Sequence, residues 1–219
     1  MILDSSSFSN SNKSCSIIPE SINPKMCIKV AENLGFEIFE DRLNLWGIRC
    51  PTGEWNDIFI DFWYDKKLQI WNCIRTIGTT EPSANLLQYI FNQGGINKNG
   101  LFILKHDEQY KECYIKGLHK GKYPALIQNP NYKFIGYRKK YWDKKKEYYS
   151  GQLYNDVKGA NYHSTKEKYV YLNKTIGTFS IGCQVQADWN FFKNEHMSLI
   201  NKFNQKTYDY TLVFYKNFI

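Results

Sequence analysis

No run of about 18 apolar residues occurs in the 219-residue chain, which argues against a helical membrane span. The N-terminal stretch from Met1 to Lys25 has no apolar core of a secretory signal either; it is rich in Ser and Asn and carries an acid at Asp4. The six cysteines (Cys15, Cys27, Cys50, Cys73, Cys113 and Cys183) contain no CxxC and no zinc-ligand spacing. Five of them read as buried or incidental free thiols of a reducing compartment, and only Cys183 has a motif around it. A calcium loop is absent from 139–149, because lysines stand where alternating oxygen ligands are needed. Internal repeats are also lacking.

What the chain does have is length enough for a proper core, 17 Tyr, 14 Phe and a net charge of +8. The positive charge attracts acidic partners such as nucleic acid or anionic cell-wall polymers without choosing among them. The expected organisation is a flexible leader over 1–22, a helical extension over 23–42 packed on the core, and one β-rich domain over 43–219. The fold class is mainly β with a few helices.

Local signals support this division. Asn23 is placed to cap a helix that has Pro24 at its first position and Gly35 at its exit, with Met26, Val30 and Leu34 on one face. Strands are expected at Leu43–Arg49, Asp57–Tyr64 and Leu68–Thr76, the last two joined by a short hairpin at Asp65–Lys67. Thr76–Ser83 reads as a Gly/Pro-marked break, Leu86–Phe91 as a helical turn, and 94–100 as a loop. Further strands are expected at Phe102–Lys105, Glu112–Leu118, Pro124–Gln128, Tyr132–Arg138, Tyr169–Leu172 and Asp209–Lys216. Asp188 is placed to cap a last helix running to about Gln205, with Phe192, His196, Leu199 and Phe203 on one face. His196 there reads as a packing residue rather than a catalyst.

The chemistry concentrates in Asn161-Tyr162-His163-Ser164 and, beyond 165–179, in Ser180-Ile181-Gly182-Cys183-Gln184-Val185. A free thiol titrates near ~8.5, so a nucleophilic cysteine needs a base, commonly histidine, within hydrogen-bond reach. Cys183 is the candidate nucleophile and His163 the candidate base. Gly182, without a side chain, lets the backbone N–H groups of Gly182 and Cys183 approach a carbonyl oxygen, with the Ser180 hydroxyl as a further oxyanion donor. Ser164 or Asn161 is available to orient the imidazole. His119, in the Gly117–Lys122 loop, is a candidate second histidine of the cleft.

Read together, His163-Ser164 and Ser180-x-Gly182-Cys183 resemble the signature of the L,D-transpeptidase (YkuD-like) catalytic domain. The resemblance covers roughly residues 68–190. It departs from the family at Ile181, where a second histidine is usual, and at Val185, where Arg or Asn is usual; Gln184 or Gln186 is then the available hydrogen-bond donor. The resemblance implies a mixed β-sandwich and attack by Cys183 on the peptide stem of peptidoglycan, at an L-centre carbonyl, with release of a terminal D-residue. The acyl-enzyme passes to an amine (transpeptidase) or to water (carboxypeptidase), and this chemistry requires no metal or organic cofactor. Substrate-binding positions are then Ser164, His119, Gln184 and Asn161. With no signal visible, the chain is expected to be cytoplasmic as synthesised and to act at the wall after release or export, for instance as a phage-encoded hydrolase.

Two rival classes remain. One is a non-catalytic wall- or virion-associated binding protein that keeps the fold. The other is a nucleic-acid-binding protein using Lys139–Tyr149, where bases alternate with aromatics in a pattern suited to phosphate contacts and base stacking. A solvated hairpin or lid over the core is the plainer account of that stretch.

Overall fold

A computed structural model describes residues 19–50, 52, 54–82, 100–139, 151–165, 180 and 182–219. Helix α1 (Pro24–Leu34) begins as the sequence predicts. The Asn23 side chain accepts from the Met26 N–H, Pro24 occupies the first turn, and Gly35 closes the helix in the left-handed region at φ 72°. Its fully buried residues are Pro24, Cys27, Val30 and Ala31, while Met26 and Leu34 sit at the edge of the same cluster. Packing starts before the helix: Ile22 is buried, and the Arg75 guanidinium binds the Glu20 and Ile22 carbonyls. The leader expected to be loose over 1–22 is therefore tied down at its final residues.

The strands are β1 (Asn44–Arg49), β2 (Asp57–Asp65), β3 (Ile70–Thr79), β4 (Leu101–Leu104), β5 (Glu108–His119), β6 (Tyr123–Gln128), β7 (Gly136–Lys139), β8 (Leu153–Tyr154), β9 (Tyr162–Ser164), β10 (Gln184–Gln186) and β11 (Tyr208–Phe214). Eight of them close into a mixed barrel in the order β1-β11-β5-β6-β9-β10-β3-β2, and β4-β7-β8 form a small separate sheet. The described residues are thus mainly β with two helices. Its principal sheet closes on itself where two facing sheets were expected, because β1 pairs in parallel with β11, from Leu45↔Tyr210 to Arg49↔Phe214. Strand β3 also runs through Thr79, past the expected break at Thr76. The expected elements at Leu86–Phe91 and Tyr169–Leu172 lie outside the described residues.

Alternation explains why β1 and β2 are apolar along most of their length. Trp46, Ile48, Ile58, Ile60 and Phe62 face outward under α1, while Leu45 and Phe59 face the barrel interior. Gly47 is required on the inner face: a Cβ there would lie 2.0 Å from the Tyr210 hydroxyl oxygen.

Helix α2 joins an α-turn (Trp189–Phe191), a π-helical segment (Phe192–His196) and an α-helix (Met197–Phe203). Asp188 caps it, accepting from the Asn190 and Phe191 N–H groups. Phe192, His196 and Leu199 are buried as their spacing predicts, and His196 Nδ1 lies 2.5 Å from Asp61 Oδ2. His196 is accordingly a packing residue that ties α2 to β2.

The interior also holds a polar network. Asp57 accepts from the Cys50 and Thr80 N–H groups and from the Thr80 hydroxyl. Burial lifts its carboxyl to about 6 against the pull of Arg49. Arg49 donates to the Thr80 carbonyl and, at 2.6 Å, to the Leu104 carbonyl, fastening the small sheet to the barrel. Cys27, Cys73, Cys113 and Cys183 are free thiols. Cys50 is disulfide-bonded, which corrects its assignment as a free thiol. Pairing depends on spatial approach, which spacing along the chain does not reveal.

Among the described residues, no helix is long and apolar enough to cross a membrane.

Candidate active site

Strands β9 and β10 are parallel neighbours, with Gln184 opposite Tyr162, Val185 opposite His163 and Gln186 opposite Ser164. Because side chains alternate, this register sorts the motif onto two faces. Tyr162, Gln184 and Gln186 point into the barrel, where the Tyr210 hydroxyl donates to Gln184 Oε1 at 2.9 Å and Gln186 Nε2 donates to the Tyr162 hydroxyl at 2.6 Å. His163, Val185 and Cys183 belong to the outer face, where Cys183 and Val185 pack with Trp55 and Ala187.

The turn before β10 is held by Ser180. Its hydroxyl donates to the Cys183 carbonyl at 2.8 Å and accepts from the Gly182 N–H at 3.3 Å. Gly182 lies at φ +135°, and a Cβ there would meet the Phe102 carbonyl at 2.9 Å, so this turn requires glycine. Ser180 is thereby a residue of turn geometry, its hydroxyl already engaged. Ile181 lies outside the described residues.

Cys183 is 6% exposed, and its thiol donates to the Gly159 carbonyl at 3.5 Å. Burial pushes the thiol up to about 11, although the Asn161 backbone and the Lys120 ammonium pull in the opposite direction. His163 is also 6% exposed. Its Nδ1 lies 3.0 Å from the Ser164 carbonyl oxygen, which only accepts, so Nδ1 carries the proton and Nε2 presents a lone pair. That Nε2 is buried and has no hydrogen-bond partner among the described residues. Burial, and next the neighbouring His119, lower the imidazole to about 4. The pair therefore rests as neutral thiol and neutral imidazole, with the thiol proton directed at Gly159 rather than at His163.

The other anticipated residues divide. His119 ends β5 instead of lying in a loop, because Lys120 and Gly121, both at positive φ, make a tight turn into β6. Its ring stacks on His163 with centroids 4.0 Å apart. Asn161 Nδ2 donates to His119 Nδ1 at 3.1 Å, while Asn161 Oδ1 accepts from the Gln128 N–H. Asn161 therefore orients His119, and the Ser164 carbonyl orients His163. The Ser164 hydroxyl is committed to the Gln186 carbonyl at 2.8 Å. Gln184 is displaced from its expected substrate-binding role, because alternation turns it away from the sulfur and into the barrel.

Cys183 borders a cavity of about 320 Å³ that it shares with Gly182, Phe102, Arg138, Asp156 and Lys158. A larger cavity of about 760 Å³ lies across the 155–159 segment, bordered by Leu118, Gln128, Tyr132 and Asn161. Arg138 and Asp156 were missed in the sequence, since neither belongs to a motif. Among the described residues, no three His, Cys, Asp or Glu side chains group as metal ligands do. Most of the basic-aromatic stretch at 139–149 falls outside the described residues.

No family model, curated protein or solved structure matches the chain.

Proposed function

We propose that the protein is a cysteine-dependent acyl transferase or hydrolase acting on peptidoglycan stem peptides. Cys183 is the nucleophile and His163 the base. The observation that carries the reading is the lone pair on His163 Nε2, buried and without a partner among the described residues, on the strand that lies parallel to the one Cys183 leads into. A nitrogen held in this tautomer can only accept a proton. In the proposed step, the sulfur bonds to the substrate carbonyl carbon while the thiol proton passes to Nε2. Collapse of the adduct breaks the C–N bond, and the imidazolium returns its proton to the leaving amine. Water or a second amine then bonds to the thioester carbonyl carbon and gives its proton to Nε2, the C–S bond breaks, and the proton returns to the departing Cys183 sulfur. Gly182 N–H is bound to Ser180, so the Cys183 N–H is the proposed oxyanion donor. The wall peptide as substrate, the L,D-transpeptidase-like assignment and action at the wall all follow from the His163-Ser164 and Ser180-x-Gly182-Cys183 resemblance.

The resting thiol favours a second reading. A thiol hydrogen-bonded to the Gly159 carbonyl, its pKa pushed up to about 11 by burial, suits a wall- or virion-associated binding protein that does not react. Intact-mass labelling with a carbapenem, a strained acyl donor, separates the two. The enzyme reading expects one adduct in the folded protein, absent from Cys183→Ala and strongly slowed in His163→Gln. No adduct, together with unaltered muropeptides on prolonged incubation, leaves the binding reading.

A further inference from the structure

We infer that Arg138 selects the substrate of the Cys183 cavity by binding a carboxylate on the acyl compound that the sulfur attacks. The inference rests on Cys183 being the nucleophile and adds the charge and chemical class of what it receives. Arg138 and Cys183 border the same small cavity. The guanidinium is held from three sides. Its Nη1 donates to the Gly100 carbonyl at 3.0 Å, and Phe102 and Tyr154 present ring faces at 5.7 and 5.9 Å. The side chain is 8% exposed, so the fork is pre-set rather than waving in solvent.

The remaining edge, Nε and Nη2, is occupied by Asp156, and only through one oxygen: Oδ1 accepts both hydrogen bonds, at 3.2 and 2.9 Å. Asp156 is 53% exposed and stands in the irregular 155–160 segment. Two parallel N–H groups are matched better by two carboxylate oxygens than by one. An incoming carboxylate can take this edge while Asp156 turns out to water. Lys158, exposed on the same cavity wall, adds positive potential along the approach. Asp156 is thus a placeholder for the substrate's carboxylate, and the cavity favours acyl compounds bearing a free carboxylate close to the carbonyl attacked.

Two alkylating agents of nearly equal size test this without a natural substrate. In each, the sulfur displaces iodide: the S–C bond forms, the C–I bond breaks, iodide leaves with the electron pair, and the thiol proton goes to solvent. Iodoacetate carries the carboxylate and iodoacetamide does not. The rate ratio at Cys183, read by peptide mass spectrometry at pH 9 and compared with the same ratio in urea, is expected to favour iodoacetate in the folded protein. Arg138→Gln lowers the folded-state ratio ~5-fold, Arg138→Lys lowers it less, and Asp156→Asn raises it. Asp156 is exposed, so its variant remains a test even where Arg138→Gln fails to fold. A labelled Cys183 whose ratio does not respond to Asp156→Asn or Arg138→Lys overturns the inference and leaves the acyl-transfer reading standing. A carbapenem result that removes that reading, beside a ratio that still follows Arg138, leaves an anion-selective thiol pocket. No labelling of Cys183 by either reagent overturns both.

Discussion

His119 lies flat against His163, with ring centroids 4.0 Å apart and planes 18° from parallel. Two imidazoles in this arrangement repel when both are charged, so the stack favours the neutral base that the Ser164 carbonyl already orients. Burial is the larger cause of the lowered His163 basicity and His119 the next. Replacing His119 with Phe keeps an aromatic face on His163 and removes the charge. The His163 pKa is then expected to rise from about 4 while staying below its ordinary value of 6.5, as read by NMR titration of the ring carbons. No change would remove His119 from the site's electrostatics.

The same shift makes stability depend on pH. Between about 4 and 6.5 an unfolded His163 binds a proton that the folded one does not. The unfolded state therefore gains as pH falls through this window, and folding stability decreases with acidification. Asp57, raised from 3.8 to about 6, contributes the opposite slope over much of the same range, so the wild-type curve is partly cancelled. The informative quantity is the difference between wild type and His163→Gln. In urea titrations the variant should lack the acid-side loss assigned to His163, and its advantage should grow from pH 6.5 down to pH 4. A pH-independent difference would mean that His163 is not held neutral.

Local signals in the chain were legible where one residue decides one geometry. Asn23, Pro24 and Gly35 fix α1; Asp188 begins α2; and the apolar runs mark most of the strands. The motif spans β9, which carries His163, and the turn into its parallel neighbour β10, which carries Cys183. Barrel closure was not legible, because β1 and β11 stand at opposite ends of the described β-rich chain and their parallel pairing leaves no local mark. The inward turn of Gln184 did have a signal: with Cys183 on the outer face, alternation sends Gln184 and Gln186 inside. Arg138 and Asp156 carry no such signal, since they meet Cys183 only through the small sheet and the irregular segment after it.

His196 and Asp61 form a buried pair whose remaining polar atoms, His196 Nε2 and Asp61 Oδ1, have no partners among the described residues. Removing one member leaves the other buried without its hydrogen bond. His196→Ala should lose ~3–5 kcal/mol of unfolding free energy in a denaturant titration, from the orphaned Asp61 and the space left beside Phe192 and Tyr162. A loss below ~1 kcal/mol would show that the pair does not hold α2 to β2.

Gly182 sets the angle at which the chain delivers Cys183 to β10. Gly182→Ala places a Cβ 2.9 Å from the Phe102 carbonyl, at a φ of +135° that L-residues rarely adopt. Relief requires the 180–183 turn to move away from β4, and the Ser180 bridge to the Cys183 carbonyl moves with it. The expected result is a folded barrel with a loss of ~1–3 kcal/mol and a changed alkylation rate at Cys183. An unchanged alkylation rate, with far-UV circular dichroism like the wild type, would mean that the turn does not position the sulfur.

The resting thiol also fixes a kinetic signature for Cys183. Only the thiolate attacks an alkylating agent, and burial holds this thiol up to about 11. At pH values below that, the thiolate fraction rises about tenfold per pH unit, so iodoacetamide labelling of Cys183 should climb steeply from pH 7 to 10. An unperturbed exposed thiol would level off above ~8.5. Lys120 lowers the Cys183 value, and Lys120→Met removes that charge; labelling should slow at every pH below the plateau, with the curve displaced to higher pH. His163→Gln should leave this curve nearly in place, because neutral His163 does not share the resting proton with the sulfur. That same variant is expected to slow carbapenem acylation, where Nε2 takes the proton as the sulfur attacks. Equal slowing of both reactions would instead assign His163 to positioning the thiol. A Cys183 curve that levels off near pH 7 would show a pre-formed thiolate and overturn the neutral resting pair.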